Sequence, residues 1–167
     1  MSNPASITAV IARPHGTDSW RGRYILGYGA PVDLGPIIHR LAAQAHAAHG
    51  TDGITALAAM LIDEHVCWER IEPDGDRLGV CRCHRPEPVT VSYLDSEVML
   101  PGTSRTARYT YVLAPTALRV AIRVNGDWTR IGQAAYTRAT ETVRFDLMAE
   151  RARVLQEAHA WDTDPLN

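Results

Sequence analysis

Residues 6–13 set Ile7, Ala9 and Ile11 against Thr8, Val10 and Ala12, a period of two that predicts a strand. A polar loop, 14–19, leads to a second alternating run over 20–28, and the two form a hairpin. Trp20, Tyr24, Leu26 and Tyr28 share one face of that run, and Arg21, Arg23 and Ile25 the other. Beyond Gly27, Gly29 and Pro31 the period lengthens. Asp33 is placed to cap a helix over 34–49, with Ile37, Ile38, Leu41, Ala45 and Ala48 on one arc. Gly50 ends it, and Asp52 caps a second helix whose stripe is Ile54, Leu57, Ala58, Leu61, Ile62 and His65. Two helices joined by so short a link predict an αα-hairpin.

From Val66 the period returns to two. Strands are expected over 67–71, 80–84, 89–94, 105–113, 118–124 and 128–131. Pro73-Asp74-Gly75-Asp76 supplies one turn, and Asn125-Gly126 is the strongest hairpin signal in the chain. The connections are too short for crossovers, so an antiparallel sheet is expected. The tail, about 138–161, reads as a long amphipathic helix with Val143, Leu147, Val154, Ala158 and Trp161 on one line, flanked by Met148 and Leu155. It is expected to cover the sheet or to meet a partner through that stripe. The expected fold is therefore one α+β domain spanning 1–167: an antiparallel β-sheet, an αα-hairpin and a long C-terminal amphipathic helix.

Composition changes this picture by exclusion. All 17 basic side chains are arginine, so the chain has no lysine. That removes the Walker-A loop, Schiff-base and pyridoxal-phosphate chemistry, and the protein-kinase mechanism, each of which needs a lysine amine. Asparagine is scarce, with Asn3, Asn125 and Asn167 alone, and alanine abundant, the residue bias of a GC-rich genome. A net charge of -2 argues against a dedicated nucleic-acid binder, though not against a local arginine patch. No apolar stretch is long enough to span a bilayer, and 1–6 lacks the basic start of a signal peptide. Three cysteines, an odd number, do not make a secreted disulfide framework, so the compartment expected is the cytoplasm.

Three groups of residues are candidates for chemistry. The first is His65-x-Cys67 with Cys81-x-Cys83. If the turn at Gly75 folds its strands back symmetrically, Cys67 stands opposite Cys83, Cys81 shares that face and His65 extends the row. Three thiols and an imidazole are a known zinc set. Extended geometry stands against it, because side chains at i and i+2 lie roughly 6–7 Å apart, too far for two thiolates on one metal. A bulge or turn at the Cys-x-Cys is needed. The other readings of the same residues are small buried core positions beside a histidine at a helix end, or a Cys67–Cys83 disulfide or redox pair. No other cofactor is raised.

The second group lies on the Asn-Gly hairpin. A two-residue turn sets Arg123 opposite Trp128 and Ala121 opposite Arg130, so Arg119, Arg123, Trp128 and Arg130 share a face suited to stacking a base and gripping phosphates. A solvated face with tryptophan packed on arginine stems is the commoner outcome, and a one-residue slip would turn Trp128 inward. The third group, His39, His46 and His49 on the first helix, reads as surface histidines, since no carboxylate completes a site. No nucleophile elbow, dinucleotide fingerprint or calcium loop is present.

The run Gly16-Thr17-Asp18-Ser19-Trp20-Arg21-Gly22-Arg23-Tyr24, followed by a Gly/Pro turn and a helix, resembles the opening of small uncharacterised proteins of actinobacteria and actinophages. Those proteins continue with His-Trp-Asp-Gly-like and Tyr-Gly-Trp-Ser-like segments, where this chain has Ile25-Leu26-Gly27-Tyr28-Gly29 and Val66-Cys67-Trp68-Glu69. The resemblance covers about the first half, does not include the cysteines and carries over no residue role. It implies an actinobacterial or phage origin. The function expected is a non-enzymatic intracellular module that binds a protein partner or itself, with Leu147, Val154, Ala158 and Trp161 as the interface. The alternatives are a nucleic-acid binder using the hairpin face and a zinc-binding protein or enzyme using the cysteine hairpin.

Overall fold

In a computed structural model, which describes residues 7–17, 19–65, 67–84 and 107–162, the chain forms a seven-stranded sheet with helices on one face. The strands are β1 (Ala9–Pro14), β2 (Trp20–Ile25), β3 (Trp68–Asp74), β4 (Arg77–Cys81), β5 (Tyr109–Leu113), β6 (Ala117–Val124) and β7 (Asp127–Ala135). The helices are α1 (Pro31–Ala58) and α2 (Thr142–Asp162). A π-helical turn, Ala59–Asp63, extends α1, and a 3-10 turn, Arg82–His84, follows β4. The strand expected over 89–94 lies outside the described residues.

The α+β class holds, but the sheet is mixed rather than antiparallel. Its order is β4-β3-β2-β1-β5-β6-β7. The local hairpins β1/β2, β3/β4, β5/β6 and β6/β7 are antiparallel, as their short links require. The joins between them are parallel: β1 runs alongside β5, and β2 meets β3 where Ile25 pairs with Trp68. These joins are long-range pairings. The β2–β3 join has α1 as its crossover, the length of chain a parallel pair needs.

The expected αα-hairpin is also corrected. Residues 31–58 are helical on both sides of a kink at Gly50, whose φ of 59° and ψ of -139° are non-helical. Such a conformation favours glycine, so the helix breaks at Gly50 and two helical segments meet there across a kink with no loop between them. The helix starts earlier than expected, with Pro31 at its first turn and Asp33 inside that turn beside the positive end of the dipole.

Strand alternation sorts the buried side chains of β1 and β2 between two faces. Ala9, Ile11 and Ile25 join Leu34, Ile38, Leu61, Trp68 and Phe145 in the main core beneath the helices. Val10, Ala12, Trp20, Tyr24 and Cys67 form a second buried cluster. Trp20 and Tyr24 are therefore core residues. His39, read as a surface histidine, is 1% exposed. Its Nδ1 lies 2.8 Å from Thr140 Oγ1 and its Nε2 lies 2.9 Å from Ala135 O, tying α1 to the loop before α2.

Helix α2 buries a different stripe from the one its hydropathy suggests. Phe145, Met148 and Ala152 face the core, and Leu155 packs at its margin. Phe145 closes on Gly35 of α1, where any Cβ would strike the ring. Val143, Leu147 and Val154 stand 59, 67 and 50% exposed. Met148→Ala is expected to cost about 2–4 kcal/mol and Leu147→Ala to stay within about 0.5 kcal/mol, measured by urea unfolding. A larger cost for Leu147→Ala than for Met148→Ala would mean that the other face of α2 is the packed one.

Candidate metal centre

The end of α1 and the β3/β4 hairpin build the site. At the π-helical turn the Glu64 N–H reaches Ala59 O at 3.3 Å, five residues back, which widens the last turn before His65. Trp68, buried at the start of β3, donates its Nε1–H to Leu61 O at 2.8 Å. Its ring lies 4.2 Å from that of His65, centroid to centroid, tilted by 44°, and packs against the imidazole.

Across the hairpin, Trp68 pairs with Cys81, and two register shifts between that pair and the turn break the symmetry about Gly75. The chain then leaves the strand in the 3-10 turn Arg82–His84. That turn removes the objection from extended geometry, because it folds Cys83 back towards Cys81. The ligand atoms of His65, Cys81 and Cys83 all lie within 4.8 Å of one another. Cys83 Sγ is 3.7 Å from His65 Nδ1. A zinc ion with ordinary bond lengths spaces its ligands roughly 3.6–3.8 Å apart, so only small adjustments separate these atoms from a ligating set.

Cys67 does not join them. Its side chain belongs to the buried cluster with Val10 and Tyr24, while Cys81 packs in the main core with Trp68. Adjacent residues on a strand point to opposite faces, and Cys67 immediately precedes Trp68. All three cysteines are thiols, so the Cys67–Cys83 disulfide is not formed. Among the described residues, His65, Cys81 and Cys83 are the one group of three or more His, Cys, Asp or Glu side chains able to hold a metal.

Comparison with family models, with curated proteins and with solved structures finds no match to this chain. The site's chemistry is therefore read from its own atoms.

Arg23 was not singled out by motif. Its Nε donates to Ile62 O at 2.9 Å, anchoring the π-helical turn to β2. Burial lowers the pKa of its guanidinium, and Arg21 adds to that; Asp63 and the thiols of Cys83 and Cys67 act in the opposite direction. A partly buried cation thus lies within electrostatic range of the thiols. Arg13 pairs with Asp63 through both carboxylate oxygens, at 2.8 and 2.9 Å, and holds the same turn against β1. Neither arginine has a sequence signature, since each acts on a segment about 40 or 50 residues away.

A cleft of about 600 Å³ opens beside the cluster, with His65 and Cys81 in its wall. Met60, Trp68, Leu78 and Val80 make its apolar side. Glu64, Asp76 and Arg77 are its charged groups.

The hairpin face forms as the Asn-Gly turn requires. Asn125 and Gly126 have φ of 56° and 88°, Arg123 pairs with Trp128, and Ala121 with Arg130. Arg119 and Arg130 are exposed. Trp128 is half-buried, however, and meets Trp20 edge-on at 5.5 Å, so its ring is engaged within the protein. Of the interface candidates, Leu147, Val154 and Ala158 are exposed on α2, and the Trp161 side chain lies outside the described residues. No described helix is long and apolar enough to cross a membrane.

Proposed function

We propose that this chain is a zinc-binding protein, with His65 and the thiolates of Cys81 and Cys83 as ligands. The observation that carries the reading is the convergence of one imidazole and two thiols within 4.8 Å, drawn from two elements and oriented by the Trp68 ring and the 3-10 turn. These donors are the soft and borderline types that select zinc over magnesium or calcium. Native mass spectrometry of protein purified without chelator is expected to show one zinc per chain, lost on dialysis against a strong chelator and restored by added zinc. A metal-free protein that takes up no zinc under reducing conditions removes the reading.

A second reading is favoured by α2. Val143, Leu147 and Val154 are large apolar side chains left 59, 67 and 50% exposed along one helix, which suits contact with another protein. A second copy of the chain is the occupant to test first. The same mass spectrum counts subunits, and a dimer that Leu147→Arg dissociates supports this reading. A monomer at every concentration counts against self-association. The edge-on contact of Trp20 with the Trp128 ring gives the hairpin face less support as a base-stacking surface.

A further inference from the structure

We infer that the groove between α2 and the sheet edge at β7 binds an extended acidic peptide, one with carboxylates at alternate positions, which lies along β7 as an added strand. The inference does not depend on the zinc reading, and it shares with the second reading only that α2 meets another protein.

β7 is the last strand of the described sheet, so one side of its backbone has no strand beside it among the described residues. In an antiparallel pair alternate residues turn their backbone groups away from the neighbouring strand, and a row of such groups is a template for another chain. Two of them are addressed by α2. Arg151 donates from Nη1 to Ile131 O at 3.5 Å, and Arg144 donates from Nη1 to Gln133 O at 3.4 Å. Both bonds are long and therefore weak. A carboxylate binds a guanidinium through shorter, stronger charge-assisted bonds, so it would draw the arginines off these carbonyls. The backbone N–H groups of the same peptide then take their place. A neutral strand would displace both guanidiniums without giving them a partner, so the edge favours an acidic one.

Spacing and charge define the ligand. Arg144 and Arg151 stand about two helical turns apart on α2, yet their guanidiniums meet carbonyls of alternate residues on β7. Alternate residues of a strand lie roughly 6–7 Å apart, which is also the spacing of side chains at i and i+2 on one face of an extended peptide. The groove, of about 400 Å³, sets these two arginines against a single carboxylate, Glu141. Glu141 lies 3.8 Å from Arg144, and Arg151 makes no ion pair among the described residues. On β7 the exposed Asp127 and Arg130 cancel. Asp146 and Glu150 of α2 are not in the wall, and Glu150 is held by Arg153. The balance favours an anionic strand. Val143 and Leu147, 59 and 67% exposed, line the same groove and offer apolar surface to a side chain next to the acidic pair.

The test titrates fluorescein-labelled peptides with the full chain at low salt and follows anisotropy. The probes are Val-Thr-Glu-Thr-Glu-Thr-Val, the same peptide with both Glu replaced by Gln, and the isomer Val-Thr-Glu-Glu-Thr-Thr-Val, whose carboxylates fall on opposite faces. The first is expected to bind about tenfold more tightly than either of the others, the worth of two part-exposed ion pairs, and to slow hydrogen exchange of the β7 amides. The double variant Arg144→Gln/Arg151→Gln is expected to bind the Glu and Gln peptides alike; the peptide series decides the matter even if that variant does not fold. Equal affinity of the unaltered chain for the Glu and Gln peptides overturns the charge argument. Equal affinity for the two Glu isomers overturns the strand edge as the seat, and so does slowed exchange in α2 without β7. Binding of no peptide overturns the inference outright, and a dimer that Leu147→Arg dissociates and that binds no peptide gives the face to a second copy. The zinc site lies by β3 and β4 at the other edge of the sheet, so a chelator should change none of these affinities, and each outcome leaves the zinc reading intact.

Discussion

Cys83→Ser is expected to weaken zinc binding by more than a hundredfold while leaving the metal-free protein's stability within about 0.5 kcal/mol. The two effects separate because Cys83 is exposed at the 3-10 turn. Binding of structural zinc to peptides is worth about 10–16 kcal/mol in apparent free energy, so one ligand carries about 3 kcal/mol or more, a factor of over a hundred. A hydroxyl is a poor substitute for a thiolate, since it stays protonated and is a harder donor. Competition against a chromophoric chelator measures the loss, and urea unfolding in excess chelator measures the stability. Cys67→Ser is the matched control: Cys67 precedes β3 and packs in the second buried cluster, so zinc affinity should not change even though a buried residue has been altered. If Cys67→Ser removed the metal and Cys83→Ser did not, the ligand set assigned here would be wrong.

Trp68→Ala should produce the largest loss of stability at this end of the molecule, about 3–5 kcal/mol by urea unfolding. The side chain is almost fully buried among main-core residues and begins the strand that joins β2 to the β3/β4 hairpin. Removing it leaves a cavity and deprives Leu61 O of its donor. It also withdraws the ring that supports His65, so zinc affinity should fall along with stability. Trp68→Phe divides the two roles. It keeps an aromatic ring near the imidazole but lacks the indole N–H, so a cost of about 1–3 kcal/mol with most of the zinc affinity retained is expected. An affinity unchanged in Trp68→Ala would show that the ring does not position His65.

Local features were legible where a single physical cause decides them. The Asn125-Gly126 turn and the pairing of Arg123 with Trp128 follow from positive φ at both turn residues. The Ile54, Leu57, Ala58, Leu61 and Ile62 stripe is buried as its spacing implies. Three of the four metal candidates, His65, Cys81 and Cys83, do come together. The fourth, Cys67, was assigned by assuming symmetry about Gly75, and the register shifts of β3/β4 break that symmetry.

The core-facing side of α2 was not legible, for a different reason. Its long apolar side chains, Val143, Leu147 and Val154, are brighter in the sequence than the set actually used, Phe145, Met148 and Ala152. Contact with Gly35 of α1 and with the sheet chooses the face, and hydropathy along one helix carries no record of that contact. His39 escaped for the same reason, since its two hydrogen-bond partners, Thr140 and Ala135, lie about 100 residues away.

Thus the antiparallel hairpins, the helical segments and the lysine-free chemistry were already set by neighbours within a few residues, because turn dihedrals, side-chain period and composition are local properties. The parallel joins of β1 to β5 and β2 to β3, the cleft and the convergence of His65 with Cys81 and Cys83 were not. They depend on which distant strands pair and in what register, on a π-helical turn pinned by Arg23 and on a 3-10 turn that departs from strand geometry. Those are settled by the free energy of packing the whole chain at once.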